Sequence, residues 1–303
     1  MTNTPSPPPF GLFIRSHKSN AFDIADALGF QDNMDALSVS IFDDGPDTMA
    51  IQALFETEGQ AMACFNAREF DKAMQDSDLK NGAVESFVAQ LPDEDWVSLS
   101  QAGLPPVPAG RFFVYGSHDA DKIPASVQHP IEINAGLAFG TGHHGTTRGC
   151  LLIFDNLLEQ GFSKSRILDL GCGAGILAIA AAKALNTSIL ATDIDPDAKM
   201  VTQQNAAINS VTPLVEAHIA DGFETPILKD KVFDLIFANI LAGPLTELAP
   251  QISTALAPKA YVILSGILDD QANWVAKAFS GQGLNVTPQQ SLKGWTSLLA
   301  QKP

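Results

Sequence analysis

A glycine-rich turn, DLGCGAG at residues 169–175, joins an apolar segment to an alanine-rich segment. The preceding RILDL is typical of a buried β-strand, and the following ILAIAAAKAL is typical of a helix. Gly171, Gly173 and Gly175 let the backbone turn sharply and let a ligand approach the amides of the helix that follows. A strand, a glycine turn and a helix in this order indicate an α/β fold with a binding loop at its first crossover.

The same alternation of strands and helices continues from residue 166 to the end of the sequence. The segments SILATD, LVEAHIAD, FDLIFAN and AYVILS are strand-like, and helical segments separate them. One helix is expected to start with Asp195 as its N-cap and Pro196 in its first turn, and another contains Pro250. VTPQQ and WTSLLAQ predict a closing hairpin. Because the earlier strands are apolar throughout, the sheet is expected to be parallel, doubly wound and buried on both faces.

The first third of the chain has a different pattern. SVSIF and MAIQALF predict two strands, while AFDIADALGF and EGQAMACFNAREFDKAM have helical spacing. We expect a loose proline-rich tail over 1–9 and a small α+β domain over 10–100. QAGLPPVPAG is rich in proline and glycine, so 101–130 is expected to be a linker and 131–303 the doubly wound domain.

The charge of the chain disfavours nucleic acid and anionic membranes as partners. The formal net charge is −16, and residues 1–130 hold 19 of the 34 acidic side chains but 7 of the 18 basic ones. A basic partner would therefore be attracted to the first part of the chain.

Apolar runs and cysteines bear on location. The longest strongly apolar run has 13 residues, short of the roughly 18 that cross a membrane, and the first residues do not resemble a signal peptide. Three widely spaced cysteines form neither a disulfide framework nor a CxxC zinc motif. We expect a cytoplasmic protein without a metal site.

The glycine turn favours one class of cofactor. A dinucleotide-binding GxGxxG motif would need a third glycine where the chain has Ile176. Asp169 beside the turn would repel a pyrophosphate but attract the ammonium and sulfonium groups of S-adenosylmethionine. The alternative is a tight strand–helix turn that binds no ligand.

Asp193 ends the second strand, 22 residues after Gly171. A carboxylate at this depth can accept hydrogen bonds from both ribose hydroxyls of an adenosine group. The alternative is a surface acid or a helix cap, although Asp195 already supplies the expected cap.

Two further strand ends carry polar candidates. Asp221 and Gly222 follow the third strand and could contact an adenine edge, or they could form an ordinary Asp-Gly turn. Asn239 follows the fourth strand, where ligands of open α/β sheets bind, and its amide can accept from and donate to a substrate amine. The alternative is a loop asparagine that caps the helix after Pro244.

AFGTGHHGTT, at residues 138–147, is a second segment rich in glycine and hydroxyl groups. Adjacent side chains such as His143 and His144 point apart, and no third ligand has a useful spacing, so a metal site is not expected there. Thr146 and Thr147 are candidates to line the pocket, or they form an N-cap pair for LLIFDNLLEQ.

With these segments in place, the sequence resembles the bacterial ribosomal protein L11 methyltransferases. The matching segments are AFGTGHHGTT, ILDLGCGAGILAIAAA, ATDIDPDA and ANILAGPL with ELAPQI after it, in that order. AFGTG followed by NILAGPL is far more specific than the glycine turn alone. The family pattern GTGTHPTT differs here at His143 and Gly145, and residues 1–100 carry no matching motif.

The resemblance implies a seven-stranded class I methyltransferase domain behind a substrate-recognition domain, with S-adenosylmethionine as cofactor. It maps the cofactor contacts onto Thr147, Gly171, Asp193 and Asn239, to which the glycine turn adds Gly173. It also implies a basic ribosomal protein as substrate, methylated on lysine side chains and the N-terminal amine. No general base is assigned, because an uncharged amine can attack directly once it has been desolvated and positioned.

Four other functions can be compared with the sequence. A protein-lysine methyltransferase of the same fold could act on another target, such as an electron-transfer flavoprotein subunit. A glutamine methyltransferase is disfavoured because it would carry NPPY where this chain has NILA at Asn239. A binding module without catalysis is a different class, and a nicotinamide oxidoreductase is disfavoured by Ile176 and Asp169.

Overall fold

The computed structural model describes residues 10–17, 24, 38–43, 48–55, 57–65, 85–90, 106–133 and 145–303. The chain divides into two compact units, Met1–Trp96 (unit 1) and Val97–Pro303 (unit 2).

Unit 1 contains a four-stranded antiparallel sheet with one helix among its described elements. The strands are β1 (Phe10–His17), β2 (Ser38–Asp43), β3 (Thr48–Phe55) and β4 (Glu85–Gln90), and the helix is α1 (Glu58–Phe65). The sheet order is β2-β3-β1-β4. The two strands predicted from SVSIF and MAIQALF are confirmed as β2 and β3. The expected tail, and the expected helix over 21–30 apart from Ile24, lie outside the described residues.

The two faces of the unit 1 sheet differ in exposure. Alternate residues of β1 and β3 point into a core that includes Leu12 and Ile51, against which α1 packs Ala61. On the other face Phe13 stacks on Phe87 with ring centroids 4.9 Å apart, and Phe87 remains 56% exposed. We call this pair the aromatic platform. A Cβ on Gly11 would lie 2.6 Å from the Phe13 ring, so the glycine leaves room for that ring.

A small three-stranded sheet opens unit 2. Its strands are β5 (Val107–Ala109), β6 (Phe112–Tyr115) and β7 (His129–Glu132); β6 is antiparallel to β5 and parallel to β7. A 3-10 turn over Ser117–Lys122 connects β6 to β7. These residues lie within the linker expected over 101–130, and the structure corrects that expectation. Val107 and Phe112 are buried in the same core as the central sheet, so most of the stretch is part of unit 2.

A seven-stranded sheet forms the centre of unit 2. Its strands are β8 (Ile167–Leu170), β9 (Ile189–Asp193), β10 (Val215–Ile219), β11 (Phe233–Asn239), β12 (Leu256–Leu268), β13 (Asn285–Leu292) and β14 (Trp295–Gln301). The order is β10-β9-β8-β11-β12-β14-β13, and β14 is antiparallel to both of its neighbours. The doubly wound sheet and the closing hairpin are both confirmed. The strand order reverses between β8 and β11, so a crevice is expected outside their carboxyl ends.

Helices cover both faces of this sheet. They are α2 (Thr146–Glu159), α3 (Ile176–Leu185), α4 (Pro196–Ile208), α5 (Ala242–Ala255) and α6 (Ala272–Gly281). Residues alternate between the two faces along each strand, so Ile189 and Ala191 belong to the core with α2, α3 and α4, whereas Leu190 belongs to the core with α5 and α6. Within the part of the chain that the structure describes, no helix is long and apolar enough to cross a membrane.

Candidate functional site

The glycine turn between β8 and α3 has a backbone that glycine tolerates best. Gly171, Gly173 and Gly175 have φ angles of 72°, 51° and 78°, all in the left-handed region. The amides of Gly171 and Cys172 both donate to the Thr192 carbonyl, at 2.8 and 3.0 Å. The turn is therefore tied to the neighbouring strand β9.

Asp193, the last residue of β9, is bound to this turn through its side chain. Its Oδ2 accepts a hydrogen bond from the Gly173 amide at 2.8 Å, and its Oδ1 accepts one from the Asp195 amide at 3.0 Å. Burial raises the pKa of the Asp193 carboxyl, while the amides of Asp195 and Gly173 oppose that rise. Each oxygen has further lone-pair capacity, so the carboxylate can still accept hydrogen bonds from a ligand.

Asp195 is the N-cap of α4, as predicted, and it accepts a hydrogen bond from the Asp197 amide at 2.8 Å. The alternative that Asp193 caps this helix is therefore wrong, and the alternative of a surface acid does not fit, because Asp193 is half-buried and accepts two backbone hydrogen bonds. Contact of Asp193 with a ribose stays a prediction.

Asp169 lies beneath the turn rather than facing the crevice. It is 1% exposed, and its Oδ2 accepts a hydrogen bond from the Ala178 amide at 2.9 Å. Ala178 is the third residue of α3, and the N-cap residue Gly175 offers no side chain, so Asp169 satisfies one free amide of that helix. Burial raises the pKa of the Asp169 carboxyl to about 7, the Ala178 amide lowers it, and Asp193 raises it further. The expectation that Asp169 attracts a cofactor directly by its charge is corrected to a structural role.

Asn239 ends β11 on the other side of the strand-order reversal. It is half-buried and lies in register with Ser265 of β12. The next residue packs against the glycine turn, because a Cβ on Gly171 would lie 2.2 Å from Ile240 Cγ2. The chain thus brings Asn239 and the turn to the same end of the sheet, as the sequence predicted. Helix α5 has Leu241 as its N-cap residue, so the alternative that Asn239 caps this helix is wrong.

Thr146 and Thr147 are the first two residues of α2, and both are buried. Gly145 holds the N-cap position and the helix has no side-chain cap, so the proposed N-cap pair is wrong. The Thr146 carbonyl accepts a hydrogen bond from Ser265 Oγ at 3.2 Å, which ties the start of α2 to β12. The predicted cofactor contact of Thr147 stays a prediction. Residues 138–144, with His143 and His144, lie outside the described residues.

Asp221 and Gly222 follow β10 at the same end of the sheet. Asp221 is exposed and Gly222 has a φ of 52°, which fits a tight turn. Contact of this pair with an adenine stays a prediction.

The cysteines and the metal-ligating side chains give no further candidate among the described residues. Cys64, Cys150 and Cys172 are buried free thiols, as expected. The described residues contain no group of three or more His, Cys, Asp or Glu side chains that could hold a metal ion.

Two residues of α4 were missed by the sequence analysis. Thr202 and Asn205 are buried, and each donates a hydrogen bond to a carbonyl of the glycine turn. The spacing of residues 202, 205 and 209 indicates that three polar side chains share one helix face, but it does not indicate that this face is buried.

The donors and acceptors at this end of the sheet fit an adenosine-containing ligand. The turn leaves no room for a Cβ at Gly171, and the Asp193 carboxylate keeps acceptor capacity for hydroxyl groups. The position of a third dinucleotide-type glycine is instead filled by Ile176, which is 4% exposed in the first turn of α3. The absence of this third glycine disfavours the dinucleotide-binding motif, as the sequence predicted.

Comparisons with known proteins point to one family. The family model described as Ribosomal protein L11 methyltransferase (PrmA) matches residues 12–303. Proteins named ribosomal protein L11 methyltransferase include one from Rhodopseudomonas palustris, 52% identical over 220 residues, which are 72% of this chain and 72% of that protein. One from Bradyrhizobium diazoefficiens is 50% identical over 210 residues, 69% of this chain and 70% of that protein.

A solved structure agrees with these matches. The crystal structure of a ribosomal protein L11 methylase from Lactobacillus delbrueckii subsp. bulgaricus aligns with a TM-score of 0.57 at 30% sequence identity. The alignment covers 66% of this chain and 100% of that one.

Proposed function

The chain belongs to the ribosomal protein L11 methyltransferase family, and we propose that it methylates amines of ribosomal protein L11, namely lysine side chains and the N-terminal amine. The family is S-adenosylmethionine-dependent, and the chain has the fold of a class I methyltransferase. The observation that carries the proposal is the Asp193 carboxylate, which accepts a hydrogen bond from the Gly173 amide. The glycine turn follows β8, beside the reversal of strand order, and the family model matches the chain over residues 12–303. A ribosomal protein as substrate favours a cytoplasmic reaction.

Five residues are proposed to hold the cofactor. They are Thr147, Gly171, Gly173, Asp193 and Asn239, of which Asp193 would accept from the ribose hydroxyls. When bound, S-adenosylmethionine supplies an electrophilic methyl group on a sulfonium. The chain's own residues provide the left-handed glycine turn at Gly171 and the half-buried amide of Asn239 at the same end of the sheet.

The substrate amine has to lose its proton before it can react. A free lysine has a pKa of about 10.4, so most of it is charged at neutral pH, and partial burial of the amine in the crevice would lower that pKa. Bound S-adenosylmethionine would supply the methyl group to the nitrogen lone pair of this neutral amine and would leave as S-adenosylhomocysteine. The proton lost before the transfer goes to water, and the methylated product leaves as an ammonium ion. Asn239 would accept a hydrogen bond from the amine through its carbonyl oxygen and orient the lone pair.

The charge and surface of unit 1 support a basic protein as the partner. Residues 1–96 hold 17 acidic and 5 basic side chains, so this unit attracts cations. The aromatic platform adds an exposed apolar contact surface, since Phe87 is 56% exposed. Exposed aromatic side chains surrounded by complementary charge are typical of surfaces that bind proteins.

Intact-mass measurement on purified L11 tests the proposal. L11 is incubated with the protein and S-adenosylmethionine, and we expect its mass to rise in whole methyl increments, with peptide mapping placing them on amines. A reaction with Asp193→Ala controls for other methyltransferases in the preparation. No added mass, combined with clear binding of S-adenosylhomocysteine, would contradict L11 as the substrate while keeping the cofactor.

A further inference from the structure

Helix α4 and its C-cap residue Asn209 carry a stripe of three buried polar side chains. Thr202, Asn205 and Asn209 are 0%, 0% and 7% exposed, and their spacing places them on one helix face. A buried polar group is costly unless it is hydrogen-bonded, so their partners explain why they lie inside.

Thr202 lies against the glycine turn at Cys172, Gly173 and Gly175. Its Oγ1 donates to the Gly173 carbonyl at 2.9 Å and lies 3.4 Å from Cys172 Sγ. Because the hydroxyl has one proton and gives it to Gly173, the Cys172 thiol is the donor in the second contact. A Cβ on Gly175 would lie 2.8 Å from Thr202, so helix and turn pack closely here.

Asn205 and Asn209 extend the stripe in two directions. Asn205 Nδ2 donates to the Ala174 carbonyl at 2.9 Å. Asn209 Nδ2 donates to the Glu132 carbonyl at 2.6 Å, and Asn209 Oδ1 accepts from the Glu132 amide at 3.0 Å. The same helix face therefore binds the glycine turn and the last residue of β7.

The peptide groups of Gly173 are held on both sides. The amide of Gly173 donates to Asp193, and its carbonyl accepts from Thr202. These two groups belong to the peptide bonds on either side of Gly173, so Asp193 and Thr202 together restrain this glycine, and loss of the Thr202 bond would release one of the two restraints. Since glycine and its neighbours have wide conformational freedom, an anchor of this kind limits the turn to one shape.

We propose that Thr202, supported by Asn205, is a positioning residue for S-adenosylmethionine, acting through Gly173 on Asp193. The proposal rests on the cofactor of the proposed function and is independent of the identity of the protein substrate. A turn that already has one shape loses less conformational entropy when the cofactor binds. Because the Thr202 hydroxyl holds the turn, its loss is expected to weaken cofactor binding.

Calorimetric titration with S-adenosylhomocysteine tests this role. Thr202→Val keeps the shape but loses the hydroxyl, and we expect its Kd to rise about tenfold, as expected when one buried hydrogen bond is lost. Thr202→Ser keeps the hydroxyl, so its Kd should stay within about twofold of the wild-type value. Thr254→Val is the matched control, because Thr254 lies on the exposed side of α5 and its Oγ1 donates to the Pro250 carbonyl at 2.9 Å.

Kinetics separate positioning from general destabilisation. Thr202→Val should raise the KM for S-adenosylmethionine and leave kcat nearly unchanged at saturating cofactor, which a loss of folded protein would not produce. If Thr202→Val does not fold, Thr202→Ala removes the same hydroxyl and favours the helix. Wild-type affinity in the valine or alanine variant overturns the proposal, as does a serine variant that binds as weakly as valine. Failure of the wild-type protein to bind S-adenosylhomocysteine would overturn the cofactor assignment as well.

Discussion

The carboxylate of Asp193 and the amide of Gly173 are joined by a 2.8 Å hydrogen bond between the ends of two neighbouring strands. The bond links the acceptor proposed for the ribose to the turn proposed to surround the cofactor. A change in either residue is therefore expected to alter the other, and cofactor binding is the measurement that reports both.

Replacement of Asp193 tests the proposed ribose contact. Asp193→Asn is expected to raise the Kd for S-adenosylhomocysteine about 10- to 100-fold, because hydrogen bonds to a charged group contribute about 1.5–3 kcal/mol. Calorimetry gives the Kd directly. Asp195→Asn serves as the control, since asparagine also caps helices and its Kd should change little. An unchanged Kd for Asp193→Asn would remove this residue from the binding site.

Replacement of Gly171 tests the close packing of the turn. Gly171→Ala introduces a methyl group 2.2 Å from Ile240 Cγ2 at a φ of 72°, so we expect a loss of stability and no detectable binding of S-adenosylhomocysteine. Gly161→Ala is a matched control, because Gly161 has a φ of 88° but nothing within 4 Å of its Cβ position. The free energy of unfolding of that variant should fall only by the cost of a left-handed backbone at alanine, about 1–2 kcal/mol.

A second substitution distinguishes the clash from the backbone strain. Ile240→Ala removes the Cγ2 atom that the new methyl group would meet, so it should partly restore binding to Gly171→Ala. No restoration would mean that the left-handed backbone, rather than the contact with Ile240, excludes alanine at Gly171.

The buried Asp169 carboxyl predicts a pH-dependent contribution to stability. Its folded-state pKa is raised to about 7, whereas in the unfolded chain it titrates near 4. Between these values the folded state binds more protons, so this group makes the protein less stable as pH rises from about 4 to about 7. Asp169→Asn removes the titrating carboxyl and with it this pH-dependent contribution to stability. The melting temperature of the variant, relative to wild type, should be higher at pH 8 than at pH 5, and a constant difference would contradict the raised pKa.

Asn239 is predicted to act in the reaction as well as in the site. Asn239→Ala should lower the single-turnover rate at saturating cofactor and L11 by at least about tenfold, because one lost hydrogen bond in the reacting complex costs about 1.4 kcal/mol. Asn156→Ala is the control, since Asn156 lies on α2 and pairs with exposed Gln160 at 2.9 Å. An unchanged rate would remove Asn239 from the mechanism.

The acidic unit 1 predicts a salt-dependent encounter with the substrate. Raising the ionic strength from about 0.05 to about 0.5 M should lower the association rate with L11 several-fold, because exposed charges are then screened beyond a few ångströms. Binding of S-adenosylhomocysteine, measured in parallel, should change much less. An association rate insensitive to salt would contradict electrostatic attraction by residues 1–96.

Strand and helix order was predictable because burial leaves a direct trace in the sequence. β8 is apolar apart from Asp169 because both faces of the sheet are covered, and the Asp195-Pro196 start of α4 follows from capping chemistry. The same apolar pattern does not indicate that the Asp169 side chain is buried beneath the turn. In a strand buried on both sides, the neighbours of a residue do not tell which face its side chain points to, or how deeply it is buried.

Two features could not be predicted from the sequence, because their local composition is typical of other structures, namely a linker and a solvent-facing helix surface. Val107–Ala109 lies among prolines and glycines typical of linkers, and its burial depends on residues far away in the chain. Thr202 and Asn205 look like the solvent-facing side of α4, and only the position of the glycine turn makes them internal. Both require the tertiary structure, which short-range patterns do not contain.

The antiparallel strand β14 lies between β12 and β13 in the central sheet. The ribosome synthesises β12 and β13 before β14, so the two strands that flank it are made first and cannot yet pair through it. During synthesis, β12 therefore has an unpaired edge until Trp295–Gln301 has emerged. An exposed strand edge is a site for aggregation and for chaperones, so the newly made chain is vulnerable until Trp295–Gln301 has emerged and paired with β12.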